Sequence, residues 1–173
     1  MTEFARLEPL PQIDKPLTHV RGIETADRVR LEGIVRSAGN FNAEEIATAM
    51  ELIDDALQTN NRGDYLVYVV ENGEGVHGFV CVGPTPLTKG VFDLYWIAVD
   101  TDTHRRGYGK ALIKFAEQEV RRRGGRMVLI ETSSLGSYQS TREFYARSGY
   151  REVARVPDFY NAGDDKIIYS KTL

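Results

Sequence analysis

The stretch Leu94-Tyr95-Trp96-Ile97-Ala98-Val99, followed four residues later by His104-Arg105-Arg106-Gly107-Tyr108-Gly109-Lys110-Ala111, decides how this chain folds. The first run is continuously apolar and short, which predicts a buried strand. From about Tyr108 onward Leu112, Phe115, Ala116 and Val120 recur at helical spacing, so a helix follows. Between strand and helix lies a basic turn carrying two glycines. A turn of this kind binds anions, because the first N–H groups of a helix lack internal acceptors and the positive end of its dipole points the same way.

Working outward, the chain alternates strand-like and helix-like segments. Residues 1–16 hold Pro9, Pro11 and Pro16 and read as an extended N-terminal arm, leaving 17–173 as the folded domain. A short strand is expected over 18–23 and a helix over 25–36. A second helix opens at Asn42, where Asn42 and Glu45 match a capping box, and runs to about Leu57. The β-rich runs 66–70 and 76–82 flank Asn72-Gly73-Glu74-Gly75, a hairpin signal. The helix after the glycine turn stops at Gly124-Gly125, and a buried strand over 127–130 ends near Glu131. Ser140 and Glu143 suggest another capping box, opening a short helix closed by Gly149. Two final strands, 150–156 and 166–171, flank an acidic and aromatic loop, 158–165. The order β-α-α-β-β-β-α-β-α-β-β predicts one α/β domain with a mixed sheet.

Composition narrows the partners. The net charge is -3, from 22 basic and 25 acidic residues, which gives no support to nucleic-acid binding. The basic residues Arg105, Arg106, Lys110, Lys114 and Arg121 to Arg123 nevertheless cluster after the glycine turn. A local positive patch on a mildly acidic chain suits a small anionic ligand. The single cysteine, Cys81, excludes an internal disulfide, favours a cytoplasmic setting and reads as a small core hydrophobe. His19, His77 and His104 lack the spacing of a zinc site, so no metal is expected. No run approaches the roughly 20 apolar residues of a membrane helix, so no membrane partner is expected.

Two phosphate motifs fail at the turn. A P-loop needs four residues between its glycines and a Ser or Thr after the Lys, whereas Gly107-Tyr108-Gly109-Lys110-Ala111 has neither. A dinucleotide fingerprint needs a third glycine where Leu112 stands.

The segment instead resembles the acyl-coenzyme A loop of the GCN5-related N-acetyltransferases (GNAT). In that pattern a strand ends in a small aliphatic residue, and four residues precede Gln or Arg. Two further residues then lead to Gly-X-Gly or Gly-X-Ala. Here Val99 is followed by Asp100 to Thr103, then His104, Arg105-Arg106, Gly107, Tyr108 and Gly109. His104 departs from the usual Gln or Arg. The resemblance covers roughly 64–156 and includes Tyr145 with Gly149-Tyr150; Tyr138 and Thr141 depart from the usual Asn and Ala.

The resemblance implies a mixed, mostly antiparallel twisted sheet flanked by helices, with a splayed parallel strand pair. It implies acetyl-CoA as acyl donor, held by Ile97, Ala98 and Val99 on the strand and by His104, Arg105, Arg106, Gly107, Tyr108, Gly109 and Lys110 at the turn, with Tyr138 along the pantetheine arm. The backbone N–H of Val99 would polarise the thioester carbonyl. Lys110, Lys114 or the arginine cluster would neutralise the 3′-phosphate.

Transfer to an amine needs two proton movements. An ammonium with a reference pKa near ~10.4 must lose a proton before attacking, and a thiolate whose acid has a pKa near ~8.5 leaves more readily when protonated. Tyr145 matches the family tyrosine beside the sulfur and is assigned as general acid. Asp93 matches the glutamate base of the histone-acetylating branch, and strict alternation would put Asp93, Tyr95, Ile97 and Val99 on one face. Glu131 is the second candidate base. The expected activity is N-acetyl transfer to a primary amine, on a small molecule or a protein, by direct transfer in a ternary complex. A non-catalytic acyl-CoA sensor is the alternative, and only the enzyme requires Tyr145 and a base. Oligomeric state stays open, a homodimer included.

Overall fold

The computed structural model describes residues 18–39, 41–103 and 106–173. The arm expected over 1–16 lies outside the described residues, as do His104 and Arg105. Among the described residues the order is β1 (His19–Gly22), α1 (Arg28–Ser37), α2 (Ala43–Gln58), β2 (Leu66–Asn72), β3 (Gly75–Pro84), β4 (Val91–Val99), α3 (Tyr108–Arg122), β5 (Met127–Ser133), α4 (Gln139–Arg147), β6 (Arg151–Asn161) and β7 (Asp164–Thr172). This is the order read from the sequence. The strands form one sheet, β1-β2-β3-β4-β5-β7-β6, antiparallel except for the parallel β4–β5 pair.

Each face of the sheet carries its own apolar layer. On one side Leu112, Ala116 and Val120 of α3 pack against Val80, Leu94, Val128 and Ile130. On the other, Leu31, Ile34 and Val35 of α1 and Met50, Ile53 and Ala56 of α2 cover Val67, Val69, Phe79 and Cys81. Cys81 is fully buried, and burial pushes its thiol pKa up to about 12, as befits a core residue with no reactive thiolate.

Several boundaries move for identifiable reasons. The Asn42–Glu45 capping box forms, with Asn42 accepting from the Glu45 N–H at 2.9 Å and Glu45 accepting from the Asn42 N–H at 2.8 Å. The Ser140–Glu143 box does not. A 3-10 turn, Gly136–Tyr138, runs directly into α4, and Glu143 instead bonds Gln139 at 3.1 Å and Arg147 at 3.4 Å. The acidic loop expected over 158–165 is largely strand. β6 and β7 continue until Asn161 faces Asp164, leaving a two-residue turn. The Asp residues hold this hairpin: Asp158 accepts from the Gly163 N–H at 2.7 Å, and Asp165 from the Asp158 N–H at 3.0 Å.

Lys171 of β7 ties the last strand to both neighbouring helices. Its Nζ donates to Glu117 of α3 at 2.8 and 2.9 Å and to the Ser148 carbonyl after α4 at 2.9 Å. Removing one partner of such a pair strands the other charge. Lys171→Met is therefore expected to cost about 2–3 kcal/mol, below the range for fully buried pairs because Lys171 keeps 25% side-chain exposure. Urea denaturation measures this.

Candidate active site

β4 and β5 pair in register only from Val91↔Met127 to Leu94↔Ile130, although both strands run on. Beyond that point the pair opens. The opening coincides with a bulge: Cys81 of β3 faces Trp96, but Val82 faces Leu94, so Tyr95 is the extra residue. The crossing is tight at Gly83, where a Cβ would sit 2.0 Å from the Asp64 carbonyl oxygen and 3.1 Å from the Tyr95 ring.

The bulge corrects the reading that Asp93, Tyr95, Ile97 and Val99 share a face. Phe92, Leu94, Ile97 and Val99 belong to the α3 side, whereas Trp96 and Ala98 belong to the α1–α2 side. Asp93, one residue from both Phe92 and Leu94, faces the α1–α2 side, opposite Ile97 and Val99. Simple alternation fails because one extra residue reverses every side chain after it.

A cavity of about 780 Å³ fills the space between the splayed strands, the start of α2, α4 and the β6–β7 hairpin. Asp93, Ile97, Glu131, Tyr138 and Tyr145 all line it. Asp93 is half-buried; burial raises its pKa, the Thr85 hydroxyl donating at 2.8 Å opposes this, and the charge of Glu131 adds to the rise. The net shift is upward. Glu131 is more exposed and bonded to Lys166 at 2.6 Å.

Tyr145, from the second turn of α4, is buried among Phe144, Tyr150 and Tyr169, with ring centroids 5.6, 6.4 and 6.0 Å away. Burial and the neighbouring Tyr138 push its hydroxyl pKa well above the ordinary tyrosine value, so the proton stays on oxygen. Tyr138 sits between the 3-10 turn and α4. Burial, and then the charge of Glu45, raise its pKa to about 12.

The glycine turn lies at the other end of the open edge. Gly107 has φ 89, a left-handed conformation suited to glycine, and it caps α3 without any side-chain hydrogen bond. Ala111 is the first residue of α3 to bond back, to the Gly107 carbonyl at 3.0 Å. The N–H groups of Tyr108, Gly109 and Lys110 therefore have no acceptor within the helix. Tyr108 is buried and anchored: its ring stacks on His77 at 4.8 Å and its hydroxyl accepts from Asn72 at 2.8 Å. Lys110 is exposed beside the turn, and Arg106 approaches Glu74 at 3.6 Å.

The arginine cluster is placed elsewhere. Arg121 to Arg123 lie at the far end of α3, roughly 20 Å from the turn at 1.5 Å per residue, too far to serve a phosphate there. Arg122 pairs with Glu119 at 2.6 Å.

Phe41, Glu45 and Trp96 escape a reading of motifs as wall residues of the cavity. Glu45 shows only its capping signal in sequence, and the others arrive from distant elements. Of the two residues that hold Tyr108, Asn72 shows only its hairpin signal and His77 carries none. The described residues contain no cluster of His, Cys, Asp and Glu able to hold a metal ion, and none of their helices is long and apolar enough to cross a membrane.

Comparison with known proteins agrees with this geometry. The family model for the acetyltransferase (GNAT) domain matches residues 63–152, just over half of the chain. The chain is 38% identical to a protein from Desulfovibrio desulfuricans assigned to the GNAT family, with TM-score 0.86 over 90% of this chain and 99% of that one. The fold also matches the ribosomal-protein-S18-alanine N-acetyltransferase of Escherichia coli, at 22% identity, TM-score 0.70 and coverage of 90% and 94%. It matches the PaiA N-acetyltransferase of Thermoplasma acidophilum in complex with coenzyme A, at 16% identity, TM-score 0.71 and coverage of 91% and 99%. A search of curated protein sequences finds no match. This chain belongs to the GNAT acetyltransferase family.

Proposed function

We propose that the protein transfers an acetyl group from acetyl-CoA to a primary amine, by direct transfer in a ternary complex. The observation that carries this reading is the parallel β4–β5 pair, which opens after Leu94 and Ile130 onto a cavity lined by Asp93 and Tyr145. The residues present fit coenzyme A. The start of α3 offers the uncapped backbone N–H groups of Tyr108, Gly109 and Lys110 for the pyrophosphate, with the side chains of Arg106 and Lys110 beside them. Beyond Leu94 the β4 edge has no β5 partner, so an extended amide-bearing arm can lie along Ile97 to Val99 with Tyr138 nearby. His104 and Arg105, expected from the sequence to join this cradle, lie outside the described residues.

When bound, acetyl-CoA supplies its acyl carbon as a thioester: a C–N bond to the amine forms and the C–S bond breaks. Asp93 draws the ammonium proton away through water, with Glu131 as the second acid at the mouth. Tyr145 donates its proton to the departing sulfur. Each assignment rests on position in the cavity; the raised pKa of Asp93 suits a base, since its carboxyl holds a proton more readily than usual, and Tyr145 keeps the proton it is assigned to donate.

Thiol release from acetyl-CoA across a panel of amines, with the N-acetyl product identified by mass spectrometry, tests the reading. Coenzyme A binding without N-acetylated product for any amine or peptide would favour an acyl-CoA sensor. Gly107→Val is expected to weaken coenzyme A binding at least tenfold by calorimetry, because a β-branched residue resists positive φ and the turn must shift.

A further inference from the structure

The cavity has chemistry beyond what the transfer step uses. Four carboxylates line it, from Glu45, Asp93, Glu131 and Asp164, and no Lys or Arg lines it among the described residues. Lys166 neutralises Glu131 at 2.6 Å, and its ammonium also sits 3.8 Å from the Phe159 ring centroid. Arg142 donates to the carbonyls of Ser133 and Leu135, both at 2.8 Å. Among the described residues Glu45, Asp93 and Asp164 have hydrogen bonds but no ion pair. Asp164 accepts from the Ser133 hydroxyl at 2.5 Å, and Glu45 accepts from the Asn42 N–H at 2.8 Å.

The walls between these acids are aromatic. Phe41 and Trp96 meet edge to face at 4.9 Å, and Tyr138 and Tyr160 complete the lining around Glu45 and Asp164. Ring faces attract cations, and carboxylates enclosed with an apolar ligand would lose water without gaining a partner. An anionic acceptor would meet like charge on several sides. A monoamine would satisfy the reaction centre alone and leave Glu45 uncompensated.

Resting on the acetyltransfer reading, we propose that the acceptor is a small amine with a second cationic centre, the class of diamines and polyamines. The reacting amine lies at Asp93 and Tyr145, and the second cation sits against Glu45 between the rings of Phe41 and Tyr138. The cavity volume lies within the range of small-ligand sites, which favours a free molecule over a folded protein chain.

Calorimetry on the full chain saturated with coenzyme A compares 1,4-diaminobutane, n-butylamine and 4-aminobutyrate, equal in carbon count and different in the far end. The diamine is expected to bind at least tenfold more tightly than the monoamine, with the amino acid weakest. Glu45→Gln is expected to bring the diamine-to-monoamine ratio close to one. Glutamine also serves in a capping box, so α2 keeps its start. Glu51→Gln, an exposed change on the same helix, should leave the ratio alone. Equal binding of diamine and monoamine, or tighter binding of an uncharged peptide amine, overturns the inference. Diamine preference in binding without N-acetyl product overturns the transfer reading and leaves the cation seat standing.

Discussion

Asp93→Asn is expected to lower kcat/KM for the amine by roughly a hundredfold or more, the lower end of what a positioned base contributes. The variant should keep its fold. The amide oxygen introduced there can still accept from the Thr85 hydroxyl, which reaches the Asp93 carboxylate at 2.8 Å. Stability works in the same direction. The folded carboxyl has its pKa raised, chiefly by burial, so the native state binds a proton more readily than the unfolded chain. Stability linked to Asp93 is thus greatest at low pH and declines as pH rises through the folded value. At neutral pH the ionised group carries a penalty that a neutral amide lacks, so the variant is expected to unfold at the same urea concentration or a higher one. Loss of activity in a protein of equal or greater stability separates chemistry from folding. The wild-type rate should rise with pH through a carboxylate limb above the ordinary range, and that limb should disappear in the variant. Unchanged kcat/KM would remove Asp93 from the reaction.

Tyr145→Phe is expected to lower turnover at least tenfold while leaving coenzyme A affinity within about twofold. The ring keeps its contacts with Phe144, Tyr150 and Tyr169, so only the hydroxyl is tested. The effect should be largest with acetyl-CoA and shrink with an acyl donor whose leaving thiol is more acidic, since a better leaving group needs less help. A loss independent of the leaving group would point to packing instead.

Both variants act at residues that sequence and structure reveal to different degrees. Tyr145 is legible through the family resemblance, whose Tyr145 and Gly149-Tyr150 lie within one helix and its cap, and local geometry carries it into the cavity. Asp93 is legible as a carboxylate in an apolar strand, yet its face is not. The bulge at Tyr95 depends on pairing with β3, including the close approach allowed at Gly83, and that strand is contributed by a separate hairpin. Arg121 to Arg123 show the same division: their charge is plain in sequence, while the length of α3 carries them away from the turn.

The order of elements, the amphipathic α3, the Asn42–Glu45 cap and the strand–glycine–helix turn followed from the sequence by itself, because each depends on residues within a few positions of one another. Tertiary structure alone decided where β4 and β5 part, which face Asp93 takes and which carboxylates share one cavity. Those depend on strand register and on side chains brought together from α2, β4, β5 and the β6–β7 hairpin, and no short-range pattern encodes that meeting.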